Sequence, residues 1–93
     1  MPRPVMTDAD RHDGFRGLAH AGRRKILAML GQNDLTVTQI LEQTKFTQPA
    51  MSRHLAILRE TGLVTVRKVG SRHQYRLNRP ALRRIVKQLQ PLA

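Results

Sequence analysis

Residues 47–62, TQPAMSRHLAILRETG, contain the pattern that decides the fold. On a helix with roughly 100° between successive residues, Met51, Leu55 and Leu58 lie within an arc of about 60°. The opposite arc carries polar or small residues, namely Gln48, Ser52, Arg53, Ala56 and Arg59. The spacing predicts a helix over residues 47–61 whose apolar side packs on a core and whose polar side faces outward.

Both ends of this helix are marked in the sequence. Thr47 can accept a hydrogen bond from the first turn as an N-cap, and Pro49 follows where a missing N–H costs little. Gly62 is suited to end the helix, because glycine readily adopts the left-handed conformation that follows many last turns. A polar helix face is often only solvated, so the flanking elements must indicate whether this one binds a partner.

Helical and strand patterns flank this segment on both sides. After a flexible tail over residues 1–6, Thr7 can cap a first helix that includes Phe15, Leu18 and Ala19. Two more helices, a hairpin and a closing helix are predicted over residues 21–31, 35–45, 64–77 and 78–90. Residues 7–93 are therefore predicted to form one domain, mainly α with a small β-hairpin, in the order α-α-α-α-β-β-α.

Acidic residues and a histidine cluster near the start of the first helix, at Asp8, Asp10, His12 and Asp13. These residue types can bind a metal ion, but on a helix the four do not converge on one face. Acids in a first turn also stabilise the positive end of the helix dipole, which is the interpretation we prefer. No metal site is predicted there.

Positive charge is concentrated in the second half of the chain. The 93 residues carry a formal net charge of +11. Residues 1–42 hold six basic and five acidic residues, whereas residues 43–93 hold eleven basic residues and one acid, Glu60. That balance attracts a polyanion. An anionic membrane requires bulky apolar anchors and single-stranded nucleic acid requires aromatic platforms, but the chain has two Phe, one Tyr and no Trp. Double-stranded DNA is therefore the predicted partner, and no membrane partner is predicted.

Two short helices joined by a tight turn and followed by a basic hairpin are typical of a winged helix-turn-helix. In that fold the second helix, here called the reading helix, enters the major groove of DNA. Arg can pair with guanine, Gln with adenine and Ser with either, and small neighbours let the helix approach the bases. The predicted base contacts are Gln48, Pro49, Ser52 and Arg53, and less certain DNA contacts are Thr47, His54 and Arg59. The hairpin over residues 64–77, here called the wing, is predicted to bind phosphates through Arg67, Lys68, Ser71, Arg72 and His73.

Two of these assignments have a structural alternative. His54 projects toward the edge of the apolar side, and it can be a packed, hydrogen-bonded histidine instead of a DNA contact. A basic hairpin can simply keep a protein soluble. We interpret the wing as a DNA contact because it directly follows the reading helix.

Several classes of protein do not fit the sequence. Without cysteine, neither disulfides nor thiolate metal sites can form. No apolar run is long enough for a signal peptide or a membrane span, so a cytoplasmic protein is expected. An enzyme is not predicted, because no Ser-His-Asp set, carboxylate pair or glycine-rich phosphate loop can be assembled.

The segments FRGLAHAGRRKILAML and LTVTQILEQTKFTQPAMSRHLAILRETGLVTVRKVGSRHQYRLN resemble the ArsR family of bacterial winged-helix repressors. The resemblance extends from about residue 12 to residue 90, and its most specific parts are LAHAGRRKIL and TQPAMSRHLAILRETGLV. It implies a nucleoid-associated homodimer whose two reading helices enter successive major grooves of an inverted-repeat operator and block a promoter. The first and last helices would pair in that dimer, and their apolar residues are Phe15, Leu18, Leu82, Ile85, Val86 and Leu89.

The sequence departs from the metal-sensing members of that family. Those members carry a Cys-x-Cys pattern at the start of the third helix, where this chain has Thr36 and Thr38. Others bind zinc through His and carboxylates on the last helix, and ALRRIVKQLQ contains neither. No metal or cofactor is therefore predicted, and any small-molecule effector is of another, unknown kind.

A second hypothesis is a winged-helix interaction module whose basic face binds an acidic partner protein. Such a module would not require Gln48, Ser52 and Arg53 on the outward arc of a capped helix. Alanine replacements there would leave its binding intact, whereas they would weaken or broaden the recognition of DNA.

Overall fold

The computed structural model describes residues 16–89 of the 93-residue chain. Residues 16–18 are helical. The elements that follow are α1 (Ala21–Leu30), β1 (Leu35–Thr36), α2 (Val37–Glu42), α3 (Gln48–Glu60), β2 (Val64–Val69), β3 (Arg72–Leu77) and α4 (Arg79–Leu89). The predicted tail, the cap at Thr7, the cluster of acids with His12, and Phe15 lie outside the described residues. The fold is mainly helical with a small antiparallel sheet, and the predicted fold class is correct.

The core lies where α1, α2, α3 and the start of the wing meet. Its fully buried side chains are Ile26, Leu30, Ile40, Met51, Leu58 and Leu63. Each helix contributes one apolar side to this cluster, as the helical spacing of these residues requires. The core therefore holds α3, the predicted reading helix, by the side that carries Met51 and Leu58.

The segment before α2 differs from the prediction of one helix over residues 35–45. Leu35 and Thr36 form a short strand that pairs with Tyr75 and Gln74 of β3, so the sheet has three strands in the order β1-β3-β2. Thr36 is also the N-cap of α2: its Oγ1 accepts from Gln39 N at 3.2 Å, and Gln39 Oε1 accepts from Thr36 N at 2.8 Å. Because this reciprocal capping box requires an extended backbone at Thr36, the helix cannot begin earlier.

The end of α2 also comes earlier than predicted, at Glu42 instead of Lys45. Gln43 N donates to Ile40 O at 3.2 Å and Thr44 N donates to Leu41 O at 3.3 Å. These bonds span three residues, so the last turn tightens and the helical ladder stops.

The ends of α3 agree with the predicted signals. Ala50 N donates to Thr47 Oγ1 at 3.3 Å, and Pro49 lies in the first turn. At the other end Gly62 has a φ of +79°, and two hydrogen bonds of 3.0 Å each run from Gly62 N to Arg59 O and from Leu63 N to Leu58 O. This pair of bonds is a Schellman motif, which needs the left-handed residue that glycine supplies.

Asn78 joins the exit of α3 to the closing helix. Its Nδ2 donates to Gly62 O at 2.9 Å, and its Oδ1 accepts from Ala81 N at 3.3 Å as the cap of α4. From there α4 packs inward through Ala81 and Ile85. No helix within residues 16–89 is long and apolar enough to cross a membrane.

Candidate nucleic-acid interface

The outward face of α3 gathers the residues that the sequence predicts to contact DNA. Thr47, Gln48, Pro49, Ser52, Arg53 and Arg59 are all exposed, and Ala56 between them is exposed as well. The opposite side is closed, because Met51, Leu55 and Leu58 expose at most 2% of their surface. One helix therefore presents a continuous polar face with small residues between the longer side chains, on a backbone that the core fixes.

His54 is not on that face. It exposes 8% of its surface, and its ring lies 4.6 Å from the ring of His20 and 5.3 Å from that of Phe46, measured between centroids. Of the two alternatives for His54, the structure has the packed one, but without the expected hydrogen bond: Nδ1 is buried and has no partner among residues 16–89. Burial, followed by the nearby charges of His20, Arg23 and Arg53, lowers the pKa of His54.

The wing has two different faces. Directly opposed residues of β2 and β3 share a face, and the register pairs Lys68 with His73 and Val69 with Arg72. Lys68 and His73 therefore lie on the same face of the wing as Val64, which is buried in the core at the base of the wing. Arg67 and Arg72 lie on the other side. All the predicted phosphate contacts of the wing, including Ser71 at the turn, are exposed, but they are divided between two faces.

Two salt bridges occur within residues 16–89, and each neutralises one basic residue outside the predicted set. Arg76 donates from Nε and Nη2 to Asp34 Oδ2 at 3.0 and 2.8 Å, and Arg16 Nη2 lies 3.1 Å from Glu60 Oε2. The hydrogen bond from Arg76 is the main reason why the pKa of Asp34 is lowered. In the described part of the chain, the predicted DNA contacts Arg53, Arg59, Arg67, Lys68 and Arg72 have no acidic partner, so their charge is available to an external anion.

The pair of Asp34 and Arg76 also connects the wing to the body. Asp34 immediately precedes β1, and Arg76 is next to Tyr75, the β3 residue that pairs with Leu35. The wing is thus fixed at its base by the backbone pairing of β3 with β1 and by an ion pair that contains two hydrogen bonds. Sequence analysis missed this connection, because a two-residue strand carries no recognisable alternation.

The residues expected at a dimer interface occupy different environments. Ile85 is buried in the core of its own chain at 7% exposure, whereas Val86 exposes 45% of its surface. Leu18, Leu82 and Leu89 are half-buried at the rim of the core. Leu18 and Leu82 also line an apolar groove of about 360 Å³ between α1 and α4. Among the residues expected at a dimer interface, the exposed apolar surface is therefore that of Val86 and of this groove, and Ile85 belongs to the interior.

The described residues do not group three or more His, Asp or Glu side chains close enough to hold a metal ion. At the position of the metal-sensing cysteines, Thr36 is engaged in the capping box of α2. Its side chain therefore has a structural role.

Comparison with known proteins agrees with this geometry. A family model described as bacterial regulatory protein, arsR family, matches residues 20–66. The arsenical resistance operon repressor of Staphylococcus aureus is 38% identical over 72 residues, which are 77% of this chain and 69% of the repressor. The transcriptional activator HlyU of Vibrio cholerae is 34% identical over 78 residues, which are 84% of this chain and 72% of the activator.

Solved structures share the fold over nearly the whole chain. An ArsR-like transcriptional regulator from Rhodococcus sp. RHA1 superposes with a TM-score of 0.84 at 28% identity, covering 95% of this chain and 83% of that one. The homodimeric winged helix-turn-helix DNA-binding domain of a possible ArsR-family regulator from Mycobacterium bovis gives a TM-score of 0.76 at 26% identity, covering 99% and 89%.

Proposed function

The chain belongs to the arsR family of bacterial regulatory proteins, and we propose that it is a homodimeric repressor that reads an inverted-repeat operator with α3. The observation that carries the proposal is the outward face of α3. It presents Gln48, Ser52 and Arg53 on a helix held by fully buried side chains, beside a wing in which Arg67, Lys68 and Arg72 have no acidic partner among the described residues.

Base recognition is assigned to the first half of α3. Arg53 can donate two hydrogen bonds to guanine, Gln48 can pair with adenine, and Ser52 can serve either. Pro49 and Ala56 lie among these polar residues and have small side chains, so the helix axis can approach the base edges. Thr47 and Arg59 lie at the two ends of the exposed face. They would contact the DNA backbone on either side of the major groove. His54 is not assigned a direct contact in this proposal, because its ring is buried on the packed side of α3.

The wing is assigned to phosphate binding. Arg67, Lys68, Ser71, Arg72 and His73 are exposed around the turn at Gly70, and contacts of this kind add affinity without reading sequence. Because these residues lie on both faces, the tip can contact a phosphate on either side of it.

Dimerisation is proposed through the surface around Val86 and the groove that Leu18 and Leu82 line. Two copies related by a twofold axis would place their reading helices about one turn of DNA apart, which matches an inverted repeat. The homodimeric M. bovis domain of the same fold supports this arrangement. Blocking of a promoter is the mode that the S. aureus relative's name suggests, whereas the name of HlyU suggests activation.

Sensing of metal through thiolates is not proposed. The chain has no cysteine, and Thr36 is engaged by Gln39. A signal, if one acts on the protein, would therefore have to be recognised by other chemistry.

The proposal is tested by selecting bound sites from random duplex DNA and measuring affinity for the selected site against salt. We expect an inverted repeat, and a log affinity that falls steeply with log salt. Equal affinity for all sequences would contradict a specific repressor. Binding of an acidic protein in place of DNA, unaffected by alanine at Gln48 and Ser52, would instead support an interaction module.

Arg53→Ala is the sharpest single variant for this test. Loss of one bidentate contact to guanine should cost about 1–3 kcal/mol on the selected site and relax the preference at one base pair in each half-site. Repeating the selection with the variant measures both effects. Lys25→Ala, at an exposed cation of α1, is the matched control and should keep the wild-type preference.

A further inference from the structure

Arg23 is a basic residue that neither the predicted site nor a salt bridge accounts for. It is the third residue of α1, and on a helical wheel it shares the inward side with Leu27 and Leu30. Its Nε is buried and has no hydrogen-bond partner among residues 16–89. An unpaired buried donor on a charged group costs free energy in the free protein. Arg23 as a whole is only half-buried, so an anion from outside the chain would bind through the rest of its guanidinium group.

The charges around Arg23 have the same sign as its own. Burial is the largest cause of the lowered pKa of Arg23, and the charges of Arg16 and Arg53 lower it further. The carboxylate of Glu60 is already bound to Arg16, and that of Asp34 to Arg76. The third carboxylate of the described residues, that of Glu42, forms no salt bridge and is not among the charges that act on Arg23. Within residues 16–89, Arg23 therefore has no carboxylate partner to balance this concentration of positive charge.

The first turn of α1, which contains Arg23, packs against α3. A methyl group on the neighbouring Gly22 would come within 3.0 Å of His54 Nε2 and of Phe46 Cζ, so the first turn of α1 is in close contact with α3. His54 directly follows Arg53 in that helix. The phosphates of DNA run along the edges of the groove that a reading helix enters, so a helix end packed against the reading helix lies near them.

We propose that Arg23 binds a DNA phosphate next to the groove occupied by α3. The inference rests on the proposed function, which it extends by a contact from α1. The phosphate would supply an anion to a guanidinium group that has no carboxylate partner among the described residues. It would also fix the register of α3 on the duplex from outside the base-reading face.

The test compares Arg23→Gln, Arg23→Lys and Lys25→Gln with the wild-type chain. Affinity for the selected duplex and for a random duplex is measured by fluorescence anisotropy between about 0.05 and 0.3 M salt. Lys25 is the matched control, since it is an exposed cation of the same helix on the side turned away from α3. Thermal unfolding of each variant identifies any general loss of folding.

Loss of one phosphate contact should reduce the magnitude of the log–log salt slope by about 0.9, on both duplexes, and weaken binding about eight-fold near 0.1 M salt. Arg23→Lys should keep the wild-type slope, and so should Lys25→Gln. A variant that merely folds less well would lower the active fraction and leave the slope unchanged. A slope for Arg23→Gln equal to that of Lys25→Gln would overturn the inference. Failure of the wild-type chain to prefer any duplex would overturn the proposed function instead.

Discussion

His54 lies on the boundary between the two faces of α3, and its environment is apolar and positively charged. Its ring packs on His20 and Phe46, and the nearby charges that act on it are those of His20, Arg23 and Arg53. His20 has a second role, because its Nδ1 accepts from Gly22 N at 2.9 Å and caps α1. The ring of His20 thus joins the first turn of α1 to the reading helix, because it caps α1 and packs on His54.

This arrangement predicts a loss of stability in mild acid. Because the pKa of His54 is lowered below 6.5 in the folded chain, the unfolded chain binds the proton first, and stability falls as the pH decreases below about 6.5. The measurement is the urea midpoint between pH 8 and pH 5. His54→Gln should flatten the dependence on pH, whereas His73→Gln, which removes an exposed imidazole of the wing, should keep it. An unchanged dependence in the His54 variant would contradict the prediction.

Among the secondary-structure elements, β1 and α2 depend on the same residue, Thr36. Thr36 is buried, pairs with Gln74 and caps α2. Its hydroxyl therefore stabilises the helix that precedes the reading helix, and its backbone stabilises the sheet.

Thr36→Ala should lower the free energy of unfolding by about 1 kcal/mol, within a range of roughly 0.5–2 kcal/mol, because the capping hydroxyl is lost. Thr36→Ser keeps that hydroxyl and should lose less. Urea unfolding at neutral pH measures both. If the two variants were equally destabilised, the cap would not be the cause.

The cations of the wing also differ in whether their charge is already paired with an acidic residue. Lys68 is exposed and has no acidic partner in the described residues, whereas Arg76 is held by Asp34. We expect Lys68→Gln to reduce the salt slope by about one on any duplex and to leave sequence preference intact. Arg76→Gln is the control of equal charge and should change the slope much less. A larger change for Arg76 would mean that the ion pair opens on DNA.

Prediction from sequence succeeded where a pattern repeats along one element. The apolar side of α3, its cap at Thr47 and its end at Gly62 were predicted because each depends on residues within one or two turns. The strand β1 was not, since it exists only through pairing with Tyr75 and Gln74, which are far along the chain. For the same reason the pairing of Asp34 with Arg76 and the neighbours of Arg23 could not be inferred from composition or spacing.

At the scale of the whole molecule, two neighbouring residues of α4 have different roles: one packs in the core of its own chain, and the other lies at the proposed dimer interface. Ile85 is directed into the core and Val86 outward. Val86→Glu should therefore place a charge in the proposed interface and yield a monomer of nearly wild-type thermal stability, as measured by light scattering after size-exclusion chromatography. Operator binding should weaken with it, because two half-sites are no longer bound together.

Ile85→Ala is the matching variant for the interior. It should cost about 2–5 kcal/mol of stability through the cavity that it leaves. A Val86 variant that remained a dimer would place the interface elsewhere on the chain.

The central position of β3 in the sheet restricts how this protein could be recombined with its relatives. β3 pairs along one edge with β2 and along the other with Leu35 and Thr36. A chimera that imports residues 64–77 alone would bring a foreign middle strand against a native outer one. Exchange of the hairpin together with residues 34–36 would preserve both seams, so these two separate stretches behave as one transplantable unit.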